Sequence, residues 1–189
     1  APAIAFDPRL EALLAGRALA YFVADGEALW LIHGRVGALE SVRLPLSIPR
    51  LSELAGALRF QLGKVRLGAA YLELHRPRLL ASTERILDEL GAGLFAPLLA
   101  SLAPQDPLLV VPYGPLHDLP LQAALLAGQP LIERHPLVLA RSLRQFAAVR
   151  SAPRPQGEIW LCGAPEPGLP AIEAELEARV REKIHRGTV

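Results

Sequence analysis

The chain has 189 residues, of which 51% are hydrophobic, and its 20 basic and 19 acidic side chains leave a net charge of +1. This composition suits a domain with its own core, and the even mixture of charges lacks the basic footprint of a nucleic-acid-binding protein. No run of about 18 apolar residues is free of polar interruptions, which excludes a membrane-spanning helix. A single cysteine excludes a disulfide framework and a cysteine-rich zinc site. We expect a cytoplasmic protein whose partner is neither a nucleic acid nor a membrane.

Methionine is absent from the sequence, even at position 1, and residues 1–10 lack the basic and apolar segments of a secretory signal. Two explanations stay open: the chain is a piece of a longer protein, or methionine residues have been lost from the sequence. Under either explanation we expect the natural protein to be larger or slightly different.

The first third of the chain predicts an antiparallel meander. Two apolar runs, Ala18–Val23 and Ala28–Ile32, are joined through Asp25 and Gly26, residue types that tolerate the positive φ of a tight hairpin turn. A third strand is predicted at Leu39–Leu44.

Two helices should follow the meander. Ser47 can cap the first, whose leucines recur at helical spacing, and the second is predicted to begin near Ser82 or Thr83. Pro97 lies inside the second helical pattern and should kink it, because a proline ring collides with the carbonyl four residues earlier.

Short apolar strands alternate with helices in the second half of the chain. The strands are predicted at Leu108–Val111, Leu137–Ala140 and Ile159–Cys162. A short helix should start at Ser142, where Ser142 and Gln145 fit a capping box, and a surface helix is predicted at Leu169–Ile184. This alternation indicates one α/β domain over residues 1–189, with the meander at 18–44 and a parallel or mixed sheet within 105–184.

His117 and Cys162 are the candidate catalytic pair. A cysteine at the carboxyl end of a strand lies where open α/β sheets place their chemistry, and a histidine can activate a thiol by taking its proton. However, Cys162 lacks the Q-A-C-x-G context of caspase-type cysteines, and a buried cysteine that packs as a small apolar residue is more common. Structural support of a loop is likewise the more common role for His117.

No metal or cofactor is expected. The remaining histidines lack the H-x-x-x-H and H-E-x-x-H spacings of metal sites, and no glycines form a nucleotide-binding pattern. These histidines are His33, His75, His135 and His185.

The order of features after Gln105 resembles the CHAT family of caspase-like and separase-like cysteine peptidase domains. The resemblance consists of an apolar strand, a Pro-x-Gly-x-Leu turn, a Leu-Pro turn with a small apolar helix, and a strand ending near a serine. Its fold-defining residues in this chain are Pro112, Gly114, Leu116, His117, Leu119 and Pro120. Gly163-Ala164-Pro165 and Leu169-Pro170 later in the chain also resemble the family pattern.

This resemblance implies a caspase-like three-layer arrangement with a mostly parallel sheet. It also implies that the catalytic histidine and cysteine follow the helix that begins at Leu169-Pro170. His185 lacks the preceding apolar strand and the His-Gly context, so the catalytic role does not transfer to it. We therefore expect the amino-terminal portion of a CHAT-type cysteine endopeptidase domain, without its dyad and inactive by itself.

Two alternatives stay open. One is a non-catalytic interaction module that keeps the fold, and the other is a hydrolase that uses His117 and Cys162. The partners implied by the resemblance are a polypeptide substrate or partner protein, the remainder of the same domain, and tetratricopeptide repeats of the same or another chain.

Overall fold

The computed structural model describes residues 8–14 and 16–151. The chain divides into two compact units, Ala1–Ala152 and Pro153–Val189, and the description below concerns the first. The strand predicted at Ile159–Cys162 and the helix predicted at Leu169–Ile184 lie outside the described residues.

The described part contains six α-helices and seven strands. The helices are α1 (Pro8–Leu14), α2 (Ile48–Gly63), α3 (Ala69–Phe95), α4 (Leu98–Ser101), α5 (Leu131–Arg134) and α6 (Leu143–Ser151). The strands are β1 (Ala18–Asp25), β2 (Ala28–Arg35), β3 (Ala38–Ser47), β4 (Leu108–Val111), β5 (Leu125–Leu126), β6 (Gln129–Pro130) and β7 (Leu137–Leu139). Short 3₁₀ helices occur at Lys64–Leu67, Gly114–Asp118 and Leu121–Ala123.

Strands β1, β2 and β3 form the predicted antiparallel meander. Asp25 pairs with Ala28 across the first turn, so the loop consists of Gly26 and Glu27, and Gly26 takes the positive φ of 57° that the turn requires. The prediction of three strands is confirmed, and each strand extends two or more residues beyond its apolar run.

The meander joins parallel strands in one five-stranded sheet of order β3-β2-β1-β4-β7. Both pairings within the meander are antiparallel, whereas β1 pairs with β4 and β4 pairs with β7 in parallel. The predicted α/β class, with a meander preceding parallel strands, is confirmed.

Helices cover both faces of this sheet. Alternation along β1 sends Ala18, Ala20 and Phe22 into a large core with α2 and α3, and it sends Leu19 to the opposite face. There Leu19 packs in a smaller core with the leucine at the end of α1 and with Phe146 of α6. The result is an arrangement of three layers, helices, sheet and helices, as the family resemblance implied.

Strand β4 lies inside the sheet, between β1 and β7, and all four of its residues are buried. Leu108 and Val110 face the large core, while Leu109 and Val111 face the small one. A continuous apolar run, such as this one, is typical of a parallel strand covered on both faces.

The helical region differs from the prediction in two places. Helix α3 begins at Ala69 rather than near Ser82. The hydroxyl of Thr83 donates to the Leu79 carbonyl at 2.9 Å within this helix, so it does not cap a new one. Pro97 separates two helices rather than kinking one, since α3 ends at Phe95 and α4 begins after a two-residue turn. The predicted cap at Ser47 is confirmed by its bond from the Arg50 amide.

Candidate functional site

The segment after β4 forms a tight turn at the carboxyl end of the parallel strands. Tyr113 has extended backbone, and Gly114 then takes a positive φ of 49°, which reverses the chain into the 3₁₀ helix Gly114–Asp118. The amide of Leu116 donates to the Tyr113 carbonyl at 3.0 Å and closes the turn. Gly114 of the fold-defining motif therefore serves backbone geometry.

The same turn divides its side chains between the core and the surface. Leu116 and Leu119 are three residues apart, so the three-residue period of a 3₁₀ helix places both in the large core. His117 and Asp118, which lie between them, are exposed. The buried leucines fix the turn against the sheet, and this anchoring positions His117.

The end of β7 lies beside this turn. The amide of Ala140 donates to the Val110 carbonyl at 3.0 Å, so the pairing of β4 with β7 continues one residue past the strand. Arg141 follows and is exposed. The Ser142 hydroxyl then accepts from the Gln145 amide at 3.1 Å, which confirms the predicted cap of α6.

A cavity of about 630 Å³ lies between the two segments. Six of its nine lining residues are apolar, and its ionisable side chains are His117, Asp118 and Arg141. The lining residues are Pro112, Leu116, His117, Asp118, Leu119, Leu121, Leu139, Ala140 and Arg141. In open α/β sheets the carboxyl ends of parallel strands are the usual place for ligands, so we take this cavity as the candidate site.

The residues that line the cavity include no hydroxyl or thiol nucleophile. His117 is brought to the cavity, whereas Cys162 lies outside the described residues, so the structure does not test the pairing of these two. Arg141 was not predicted as a site residue, although its position directly after a parallel strand was a usable signal. In the described part of the chain no group of three or more His, Cys, Asp or Glu side chains is arranged to hold a metal ion.

An ion pair fixes the start of β4, at the amino-terminal end of the parallel strands. The Arg35 guanidinium contacts the Asp106 carboxylate at 2.7 Å, and this hydrogen-bonded cation holds the pKa of Asp106 below its usual value. The buried His135 ring contacts the Asp106 carbonyl oxygen at 3.1 Å. These contacts position β4 without reaching the cavity at its other end.

His33 on β2 is a buried histidine whose ring Nδ1 lies 3.3 Å from the Ser101 hydroxyl at the end of α4. Burial lowers the pKa of His33, and the nearby Glu40 opposes this shift to a smaller extent. The hydroxyl also lies 3.4 Å from the Leu98 carbonyl oxygen of its own helix, so the contact links α4 to the sheet.

Acid should therefore destabilise the protein through His33. The unfolded chain protonates this residue near its ordinary pKa of 6.5, whereas the folded protein does so only at lower pH, so stability falls as the pH drops below about 6.5. Urea unfolding at neutral and at mildly acidic pH should show that acid lowers the free energy of unfolding. The His33→Gln variant should lose less stability over the same change of pH. An equal loss of stability in the unmodified protein and in His33→Gln would contradict this role of His33.

The fold and the cavity together define a class: an α/β domain with helices on both faces and a cleft at the carboxyl ends of its parallel strands. The family model described as the CHAT domain matches residues 84–189, more than half of the chain, and the match includes every residue that lines the cavity. The chain belongs to the CHAT domain family. A comparison with curated proteins gave no match to the chain. Within the described residues, no helix combines the length and the apolar character needed to cross a membrane.

Proposed function

We propose that this chain is the amino-terminal portion of a CHAT-type, caspase-like cysteine endopeptidase domain and that it contributes one wall of the substrate cleft. The observation that carries the proposal is the cavity at the ends of β4 and β7, which has a histidine and an arginine in its lining but no nucleophile. A cleft with these walls can hold an extended peptide, while the attacking thiolate must come from residues that do not line it here.

The two edges of the sheet support this proposal. Strand β3 has exposed Glu40, Arg43 and Pro45, which are residue types that discourage further pairing. Strand β7 has the sequence Leu-Val-Leu, and Leu139 is 48% exposed. An apolar edge of this kind suits the addition of another parallel strand from the remainder of the domain.

The proposed partners follow from the same cleft. A polypeptide substrate or partner protein would occupy it, and the remainder of the domain would extend the sheet from β7. Tetratricopeptide repeats of the same or another chain are a further proposed partner, supported by the resemblance to the family alone.

The alternative hydrolase, which would use His117 and Cys162, can be tested directly. Under our proposal Cys162 is a structural residue, so its alkylation at neutral pH should be slower than that of a free cysteine, and His117→Ala should leave the rate unchanged. Intact mass after timed exposure to iodoacetamide measures this rate. Fast alkylation that His117→Ala slows would favour the hydrolase that uses this pair.

The non-catalytic module makes a different prediction. A pseudo-peptidase would have no dyad in any longer form of the protein, whereas our proposal requires one. Peptide cleavage by a longer form of the protein separates the two.

A further inference from the structure

The α2–α3 hairpin projects from the rest of the domain. Near the sheet the two helices are anchored by buried leucines and by the ion pair of Arg50 with Glu89 at 2.7 Å. Beyond that level, over residues 59–85, the structure describes no buried residue. We call residues 59–85 the distal hairpin. Helices gain most of their stability from packing, and the distal hairpin packs little against the rest of the domain, so its surface is accessible to a partner.

The distal hairpin exposes large apolar side chains. Six of them are half exposed or more: Phe60, Leu62, Val65, Leu67, Leu74 and Leu80. Three of these, at 62, 65 and 67, lie at the turn between the helices. Half of these apolar side chains therefore lie at the turn that ends the hairpin, which we call the tip.

Positive charge is concentrated in the same segment. The distal hairpin contains six basic and two acidic residues, a net charge of +4, while the whole chain has only +1 and the rest therefore carries −3. Lys64 and Arg66 alternate with the apolar residues of the tip. The Lys64 ammonium lies 4.6 Å from the centre of the Phe60 ring, so basic and apolar groups share one surface.

We propose that the distal hairpin docks on an anionic lipid surface, with Leu62, Val65 and Leu67 entering the interface and Lys64 and Arg66 contacting lipid phosphates. An apolar tip flanked by long basic side chains suits a membrane interface, because these side chains place their charge at the headgroups while their stems follow the apolar part. This peripheral mode departs from the expectation of no membrane partner, which rested on the absence of a spanning helix. It does not depend on the proposed peptidase role.

Other occupants fit the surface less well. Two copies of the hairpin would bring like charges together, and a nucleic acid backbone would have no use for the apolar tip. An acidic protein would need a concave apolar surface to cover the tip. The lipid interface is the occupant that uses both the charge and the protruding leucines.

The test is sedimentation of the full chain with vesicles of phosphatidylcholine, alone or mixed with phosphatidylserine. We expect binding to the mixed vesicles only, and weakening by salt. Two double variants should each lower the binding constant roughly tenfold or more: Val65→Gln with Leu67→Gln removes apolar surface without changing the charge, and Lys64→Glu with Arg66→Glu reverses two positive charges. Arg43→Glu with Arg144→Glu, which reverses two exposed charges outside the hairpin, is the matched control for the double charge reversal and should have a smaller effect. Circular dichroism verifies that every variant is folded.

Three results would overturn the proposal. The first is no sedimentation with either vesicle. The second is binding that Val65→Gln with Leu67→Gln leaves unchanged, or equally tight binding to poly-glutamate or to RNA, because charge alone would then explain it. The third is a dimer in solution that the same substitutions dissociate, which would assign the tip to contacts between copies of the chain.

Discussion

Replacing Gly91 with alanine should lower the free energy of unfolding by about 3 kcal/mol or more. Gly91 is buried in α3 where the β5–β6 hairpin crosses it, and a Cβ atom there would collide with the carbonyl oxygen of Leu125. The obstacle is backbone on both sides, so no side-chain rotation can relieve it. The gain in helix propensity from alanine, about 1 kcal/mol, is too small to compensate.

Gly56→Ala provides the matched control for this substitution. Gly56 lies in α2, is exposed, and a Cβ atom added there meets no atom within 4 Å. The same chemical change should therefore raise stability by about 0.5–1 kcal/mol through helix propensity alone. Urea unfolding of both variants measures the contrast, and a destabilisation of similar size at the two positions would contradict the close approach of Leu125 to α3.

Phe95→Ala should cost about 3–5 kcal/mol of stability. Phe95 is fully buried at the end of α3 and meets Phe22 of β1 edge to face, with ring centroids 5.7 Å apart at 89°. Its loss leaves a cavity between the helical layer and the sheet and removes an aromatic contact. Since small domains have about 5–15 kcal/mol of stability in total, the variant should be close to unfolding.

Phe60→Ala is the control for the aromatic substitution. Phe60 is 67% exposed on α2, so its removal should change stability by less than about 1 kcal/mol. Thermal or urea denaturation of the two variants tests which phenylalanine belongs to the core. A large loss from Phe60→Ala would show that the distal hairpin is packed in solution.

Local signals in the sequence were sufficient for most strands and for two helix caps. The runs that became β4 and β7 are short and apolar, each directly follows a proline, and each boundary is close to the one observed. Ser47 and Ser142 each precede a helix, and each hydroxyl accepts a hydrogen bond from a backbone amide of that helix, as predicted. Such features depend on neighbouring residues alone, which is why they can be read from sequence.

Features that depend on three-dimensional context could not be predicted in this way. Ser82 and Thr83 have the composition of a helix start, but Thr83 satisfies its hydroxyl within the helix, so α3 begins thirteen residues earlier. Arg141 joins His117 at one cavity only because β4 and β7 are parallel neighbours. The burial of His33 likewise depends on α4, which is distant in sequence.

The central claim is that this chain forms the cleft wall of a cysteine peptidase domain and obtains its dyad from elsewhere. The most direct measurement is peptide cleavage by the extended protein, meaning the longest chain that its gene encodes, beside the chain of 189 residues. We predict cleavage by the extended protein, its complete loss when the downstream cysteine is replaced by alanine, and no cleavage by the chain alone. Cleavage by the chain alone, or an extended protein without a downstream histidine and cysteine, would contradict the claim.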